Sequence, residues 1–192
     1  MRVFVAGATG VIGLPMVRFL VDAGHTVAGM TRTPSKAQLI GDLGARAVVC
    51  DVYDADELRT AIVEFAPDVV VNQLTDLPDD AGEIPAKAAA NARMRREGNR
   101  NVLSAADAAN AQRVVVQSIA WEVPGEVGLA TKELEQDTLA AGGVVVRYGQ
   151  FYGPGTYHEA PPDPPRIEVT EAARRTVELL DAPSGIVEIV ED

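Results

Sequence analysis

A triplet of glycines at fixed spacing limits what this chain can fold into more than any other feature. Gly7-Ala8-Thr9-Gly10-Val11-Ile12-Gly13 follows directly on the apolar run Arg2–Ala6 and opens an amphipathic stretch, Val11–Ala23. Gly7 permits a tight turn out of a strand. Gly10 lets backbone approach a ligand, and Gly13 lets the helix pack closely on the strand. A helix opening at such a turn offers unpaired N–H groups and a partial positive charge, the arrangement that holds phosphate. The context of strand, glycine turn, helix and a second strand at Thr26–Met30 is the one that a dinucleotide pyrophosphate site requires. Glycines serving only a turn are the competing reading, and the context weighs against it. The cradle is assigned to Gly7, Thr9, Gly10, Val11, Ile12 and Gly13.

The rest of the chain repeats the same alternation. Strands are expected at Arg2–Ala6, Thr26–Met30, Ala47–Cys50, Asp68–Asn72, Arg113–Gln117, Val144–Tyr148 and Ile186–Val190. Their cores, such as VVV and VVVRY, are apolar without alternation, as in strands buried on both faces of a parallel sheet. Helices are expected near Val11–Ala23, Ser35–Leu43, Ala55–Phe65, Glu83–Ala109, Val127–Ala141 and Thr170–Leu180. Pro15 is tolerated most easily in a helix's first turn. Strand and helix in strict succession predict an α/β fold of Rossmann type, a doubly wound and mostly parallel sheet. One domain is expected over residues 1–192, with a semi-rigid surface loop at Gly153–Arg166, where five of fourteen residues are proline.

Composition removes several function classes. Lys plus Arg is 17 against 28 Asp plus Glu, a formal charge of −11, which repels nucleic acid and anionic lipid. The lone cysteine, Cys50, excludes an internal disulfide and a multi-cysteine zinc site, and no spacing suggests metal ligands. No stretch is apolar and long enough to span a bilayer, and the glycines interrupt the start too early for a secretion signal. A cytoplasmic protein acting on a small molecule, with neither nucleic acid nor membrane as partner, is the expectation.

The end of the second strand bears on the choice of cofactor. A domain that prefers NAD usually carries a carboxylate there for the ribose 2′-hydroxyl. This chain reads Met30-Thr31-Arg32-Thr33-Pro34-Ser35-Lys36. Thr31 and Arg32, with Lys36, suit a 2′-phosphate, so NADP(H) is expected over NAD(H). The alternative is that Arg32 is a solvated loop residue.

Beyond the glycine turn, the order of motifs resembles the extended and atypical short-chain dehydrogenase/reductase superfamily, in its NAD-dependent epimerase/dehydratase branch. GATGVIG looks like its fingerprint, and Asp51-Val52 resembles its adenine-contacting pair. PDVVVNQLTD places Asn72, Gln73 and Leu74 where the family's fourth strand meets the cofactor. VVVQSIAW puts Ser118 where the family carries a catalytic Ser or Thr, and VRYGQFYGPG is similar to the segment lining nicotinamide and substrate, with Gln150 as a polar contact.

The resemblance implies a Tyr-x-x-x-Lys pair on the next helix, with the phenol moving a proton and the lysine holding the nicotinamide ribose. Gly128-Leu129-Ala130-Thr131-Lys132 keeps Lys132 but has Gly128 at the tyrosine position. Tyr152 could supply the phenol, although packing is the plainer role; Tyr148 and Tyr157 lie nearby, His158 is read as solvated, and His25 is assigned nothing. Arg93, Arg96 and Arg100 share one helix face, which reads as solvated or intersubunit, or else as a site for an anionic substrate. Two functions stay open. One is an NADP(H)-dependent reductase, dehydrogenase or epimerase-like enzyme using Ser118, Lys132 and a water or Tyr152. The other is a dinucleotide-binding module without redox turnover. The family pairs its fourth helix and the Lys132 helix across a two-fold axis. Small residues Ala86, Ala89, Ala90, Ala105 and Ala106 would permit that approach, so a homodimer is expected.

Overall fold

In the computed structural model, which describes residues 1–191, seven parallel strands form one sheet between two layers of helices. In chain order the strands are β1 (Arg2–Ala6), β2 (Thr26–Thr31), β3 (Arg46–Val49), β4 (Val69–Asn72), β5 (Arg113–Ile119) and β6 (Val144–Tyr148), with β9 (Gly185–Ile189) closing the edge. Their order across the sheet is β3-β2-β1-β4-β5-β6-β9, so the winding direction reverses between β1 and β4. That reversal opens a crevice at the carboxyl ends of these two strands, the place where such folds take ligands.

Alternating side chains of each strand feed two cores. Val3, Val5, Val71 and Tyr148 pack toward α1 (Gly13–Asp22) and α7 (Val169–Val177). Phe4, Ala6, Val70 and Val116 pack in the second core with residues of α3 (Ala55–Phe65), α5 (Asn99–Ala108) and α6 (Gly125–Ala140). A short helix α2 (Ala37–Gly41) follows a 3-10 turn at Pro34–Lys36. Pro15 lies in the first turn of α1, where its missing N–H removes no helical bond.

Three expectations need correction. The helix read as Glu83–Ala109 begins as two 3-10 turns, Ala81–Glu83 and Pro85–Lys87, because Pro85 stands at a turn start. It then runs as α4 (Ala88–Arg93), a π-helical turn at Met94–Gly98, and α5. Ala105 and Ala106 are sealed in the second core, so they cannot face another subunit. Two strands escaped the sequence pattern: β7 (Gln150–Tyr152) and β8 (Arg166–Glu168) pair in parallel around the proline-rich loop. Three residues are too few to show any period. Other boundaries moved by one to three residues, as at β5, which runs to Ile119, and α7, which stops at Val177. Among the described residues no helix is long and apolar enough to cross a membrane.

Candidate functional site

The cradle is built from main chain. Gly7 adopts φ +83°, and a Cβ there would lie 2.8 Å from the carbonyl oxygen of Gln73, so only glycine fits between β1 and the exit of β4. The N–H of Gly10 closes the turn on the Gly7 carbonyl at 3.1 Å. A Cβ on Gly13 would lie 2.1 Å from the same carbonyl oxygen, which is the close helix–turn packing expected of it. Gly10 differs, since its nearest obstacle is 3.4 Å away, and the space it leaves is open to a ligand. Helix α1 has no side-chain cap and no acid in its first turn. The Leu14 and Met16 N–H groups bond the Gly10 and Ile12 carbonyls, so the N–H groups of the turn ahead of them, with the positive dipole end, are what an anion would meet. A groove of about 370 Å³ runs past Thr9, Gly10 and Val11 to Pro154 and Gly155, so the segment after β6 does stand beside the cradle. Val11 is exposed on this side and Ile12 is buried. These features fit the pyrophosphate of a dinucleotide.

At the end of β2, Thr31 is buried and its hydroxyl shares a 3.0 Å hydrogen bond with that of Thr9 while accepting from the Thr33 N–H. Its hydroxyl is thus used in joining the cradle to β2. Arg32 is 56% exposed and donates to Asp76 at 2.8 Å, an acid beyond β4 that the sequence reading passed over. Lys36 is exposed in the 3-10 turn. After β3, the exposed Asp51 carboxylate accepts from the Tyr53 N–H, and the carbonyl of buried Val52 accepts from Asn101. After β4, Asn72 donates to Asn99 and accepts from the Leu74 N–H, while the Leu74 carbonyl accepts from Gln117. Gln73 donates to the Tyr148 hydroxyl, and its own Oε1 is buried with no partner in the protein. Gln73 Oε1 is thus an acceptor at the switch point that the protein leaves unused.

The chemistry-bearing residues are arranged otherwise. Ser118 is 1% exposed and donates to Glu135 at 2.5 Å. Glu135 also receives Arg147 on both oxygens, at 2.9 and 2.7 Å. Burial opposes ionisation of Glu135, but the hydrogen bonds from Arg147 and Ser118 outweigh it and hold its pKa below the usual range. Ser118 therefore belongs to a buried ionic network and has no hydroxyl free for a substrate. On α6 the buried positions are Gly128, Ala130, Thr131, Leu134, Glu135 and Thr138, whereas Lys132, about 100° round the helix from Thr131, is exposed. Gly128 has no room for the missing phenol, since a Cβ would fall 1.7 Å from the Val123 carbonyl oxygen. Ser118, Lys132 and Tyr152 are not brought together as a triad by any recorded contact.

The tyrosines nearest the site are occupied, Tyr157 by donating to the Pro78 carbonyl. Tyr152 donates to Glu191 at 2.7 Å, and that bond raises its pKa. Tyr148 is fully buried between Gln73 and Thr176, and burial pushes its phenol up to about 12. Gln150 donates to the Asp163 carbonyl, away from the cradle's bonds. Of the surface arginines, Arg93 pairs with Glu97 and lies over the Tyr53 ring at 3.9 Å. Arg96 pairs with Glu126 and Glu133, and Arg100 with Asp137. Arg96 ties the π-turn and Arg100 ties α5 to α6, and among the described residues all three arginines of that face already hold a carboxylate.

The model of a family described as NAD(P)H-binding matches residues 7–144. A 3-diazoavenalumate denitrifying reductase of a Streptomyces species is 38% identical over 180 residues, covering 81% of this chain and 58% of that protein. The photosystem II assembly factor Ycf39 of Synechocystis is 30% identical over 119 residues, covering 62% of this chain and 34% of the factor. The chain thus spans less than two thirds of the curated relatives it matches. Among solved structures, a UDP-glucose 4-epimerase of Thermus thermophilus with NAD superposes with TM-score 0.83 at 19% identity, covering 99% of this chain and 78% of the epimerase. The Bordetella bronchiseptica enzyme WbmH with NAD+ gives 0.81 at 18% identity, covering 99% and 75%.

Proposed function

We propose, from the premise that this chain belongs to the NAD(P)H-binding family and has the fold of the NAD-dependent epimerases and dehydratases, that it is an NAD(P)H-dependent reductase of a small electrophilic compound. The observation that carries the reading is the open space over Gly10 beside the uncapped start of α1, at the reversal between β1 and β4. In the reading, Gly7 to Gly13 bind the pyrophosphate and Asp51 and Val52 frame the adenine. Asn72, Gln73 and Leu74 lie along the nicotinamide half, with Gln73 Oε1 as acceptor. When bound, the reduced nicotinamide supplies a hydride.

NADP(H) is preferred over NAD(H) in this reading. Arg32 meets the 2′-phosphate by leaving Asp76, since an exposed ion pair holds it by only about 0–1 kcal/mol. The lack of a protein acid narrows the substrate. A carbonyl needs a proton on its oxygen as it is reduced; Gly128 has none to give, Ser118 is bonded to Glu135, and Lys132 is exposed with no contact that aims it at the site. An acceptor that expels a neutral leaving group needs no such proton. The reductase relative's name couples reduction to loss of nitrogen from a diazo compound, and a diazonium plus hydride gives an arene and dinitrogen, balanced in atoms and charge. Trp121, exposed in the loop leaving β5, offers an aromatic surface at that end of the sheet. The occupied state of Ser118 and Tyr152 favours a second reading, a binding module without turnover.

The test is NADPH oxidation at 340 nm over aldehydes, ketones, quinones and aryl diazonium salts, together with calorimetry of NADPH binding. Turnover with the diazonium salts and not with aldehydes, ketones or quinones is the expected result. Tight NADPH binding without oxidation across the panel would support the module instead.

A further inference from the structure

Arg95 is the feature that neither the fold nor the cradle explains. It is 5% exposed, its Nε is sealed without a partner, and no hydrogen bond or ion pair among the described residues reaches its guanidinium. In a chain of net charge −11, where the neighbouring Arg93, Arg96 and Arg100 each hold a carboxylate, such isolation is conspicuous. The π-helical turn Met94–Gly98 turns this arginine inward, and π-turns gather at functional sites. Asn91 and Asn99 bracket it on the same helix. Asn91 accepts from the Asp76 N–H beyond β4, and Asn99 accepts from Asn72 at the strand's end. Glu135, bonded to Ser118 near the end of β5, is the charge its guanidinium feels. Arg95 therefore lies by the carboxyl ends of β4 and β5, beside the ligand crevice.

Charge counting sharpens the point. Both Glu135 oxygens are taken by Arg147, and one also by Ser118, so the carboxylate gives Arg95 no hydrogen bond. Arg147 is 34% exposed and also meets Glu188, so Arg95 is the buried guanidinium left without a carboxylate of its own. Glu188 reaches only Arg147, at 3.8 Å and from an exposed position. Burial pushes the Arg95 pKa down to about 10, which leaves it cationic near neutrality. An unpaired buried cation is costly to hold, and a protein keeps one where an anion will arrive.

We propose that Arg95 is an anion anchor separate from the pyrophosphate cradle, and that it receives the carboxylate of the small molecule bound at the ends of β4 and β5. A planar guanidinium fork matches the two oxygens of a carboxylate, and beside a side chain only 5% exposed that flat group needs less room than a tetrahedral phosphate. Calling this molecule the substrate rests on the reductase reading; the anion site does not.

Thermal unfolding of the full chain, with and without saturating NADP+, is followed as benzoate, benzamide or inorganic phosphate is added. Benzoate is expected to raise the wild-type Tm by about 4 °C or more near saturation, with benzamide and phosphate giving little. Arg95→Met is expected to melt higher than wild type without ligand, to bind NADPH as before and to ignore benzoate. Arg95→Lys keeps the charge without the fork and is expected to need at least tenfold more benzoate. A wild type indifferent to benzoate, a response to phosphate or benzamide equal to that to benzoate, or an Arg95→Met that still responds would each overturn the proposal. Failure to bind NADPH would sink the reductase reading alone, since the benzoate titration without cofactor still reports on Arg95.

Discussion

At the carboxyl ends of β1 to β3 the groups that face a ligand are mostly main-chain atoms, whereas at the ends of β4 to β6 they are side chains already bonded to one another. Gly7, Gly10 and Gly13 act by what they lack, and their geometry follows from the turn itself. Ser118, Glu135 and Arg147 act as a bonded unit whose members lock one another in place. The difference teaches that a site made of backbone travels with the fold, while a site made of side chains can be rebuilt as an ionic core without disturbing it.

The sharpest way to break this comparison is to substitute one glycine from each region. Gly128→Tyr, the change that would restore the missing phenol, must push its Cβ into the Val123 carbonyl at 1.7 Å. Its backbone has to move, and a loss of about 3 kcal/mol or more is expected in urea denaturation. Gly10→Val meets nothing nearer than 3.4 Å, so stability should change by about 1 kcal/mol or less. The valine fills the ligand's space instead, and NADPH affinity should fall at least about 100-fold, or roughly 2.7 kcal/mol. A Gly128→Tyr protein as stable as wild type, with raised turnover, would show the second region to be an ordinary site after all.

The second prediction sharpens the comparison inside the first region, where one side chain does matter. Arg32→Asp should reduce the advantage of NADPH over NADH in calorimetry by about 1–3 kcal/mol, the scale of a charge-assisted hydrogen bond. Asp76→Asn should enlarge it by about 0.5–1 kcal/mol, because it frees Arg32 from an exposed pair and removes a charge that repels phosphate. Equal affinity for the two cofactors in the wild type would end the assignment of Arg32.

How much of this was legible in the sequence follows the same line. The strand–helix succession and the glycine spacing gave the Rossmann sheet and the cradle, since both are written in short-range pattern. The partners of Arg32 and Ser118 were not legible, because Asp76 and Glu135 lie 44 and 17 residues away in the chain. Arg95 was hidden by the π-turn. Regular helical spacing picked out Arg93, Arg96 and Arg100 as a face, and one wide turn sent their neighbour inward. Lys132 was aligned by motif alone, and a helix rotates a residue by about 100° for each step in sequence. Thr131, one step earlier, is the buried residue.

The smallest expected effects decide whether Ser118 and Lys132 still serve the reaction. Ser118→Ala removes the 2.5 Å bond to Glu135 but leaves Arg147 on both oxygens, so a loss of about 1–2 kcal/mol in stability is expected. Glu135 has a depressed folded pKa, so its contribution is present above the unfolded value and fades as pH falls through the folded one. The gap between wild type and Ser118→Ala should therefore close toward acid pH, which a catalytic hydroxyl would not make happen. Lys132→Ala removes an exposed side chain that no recorded hydrogen bond or ion pair holds. Stability should stay within about 0.5 kcal/mol, the usual range for such a surface change. NADPH affinity and kcat should then stay within about twofold, near 0.4 kcal/mol by the same arithmetic. A tenfold fall in both would mean that Lys132 reaches the nicotinamide ribose, and that the second region keeps its family role despite the buried serine.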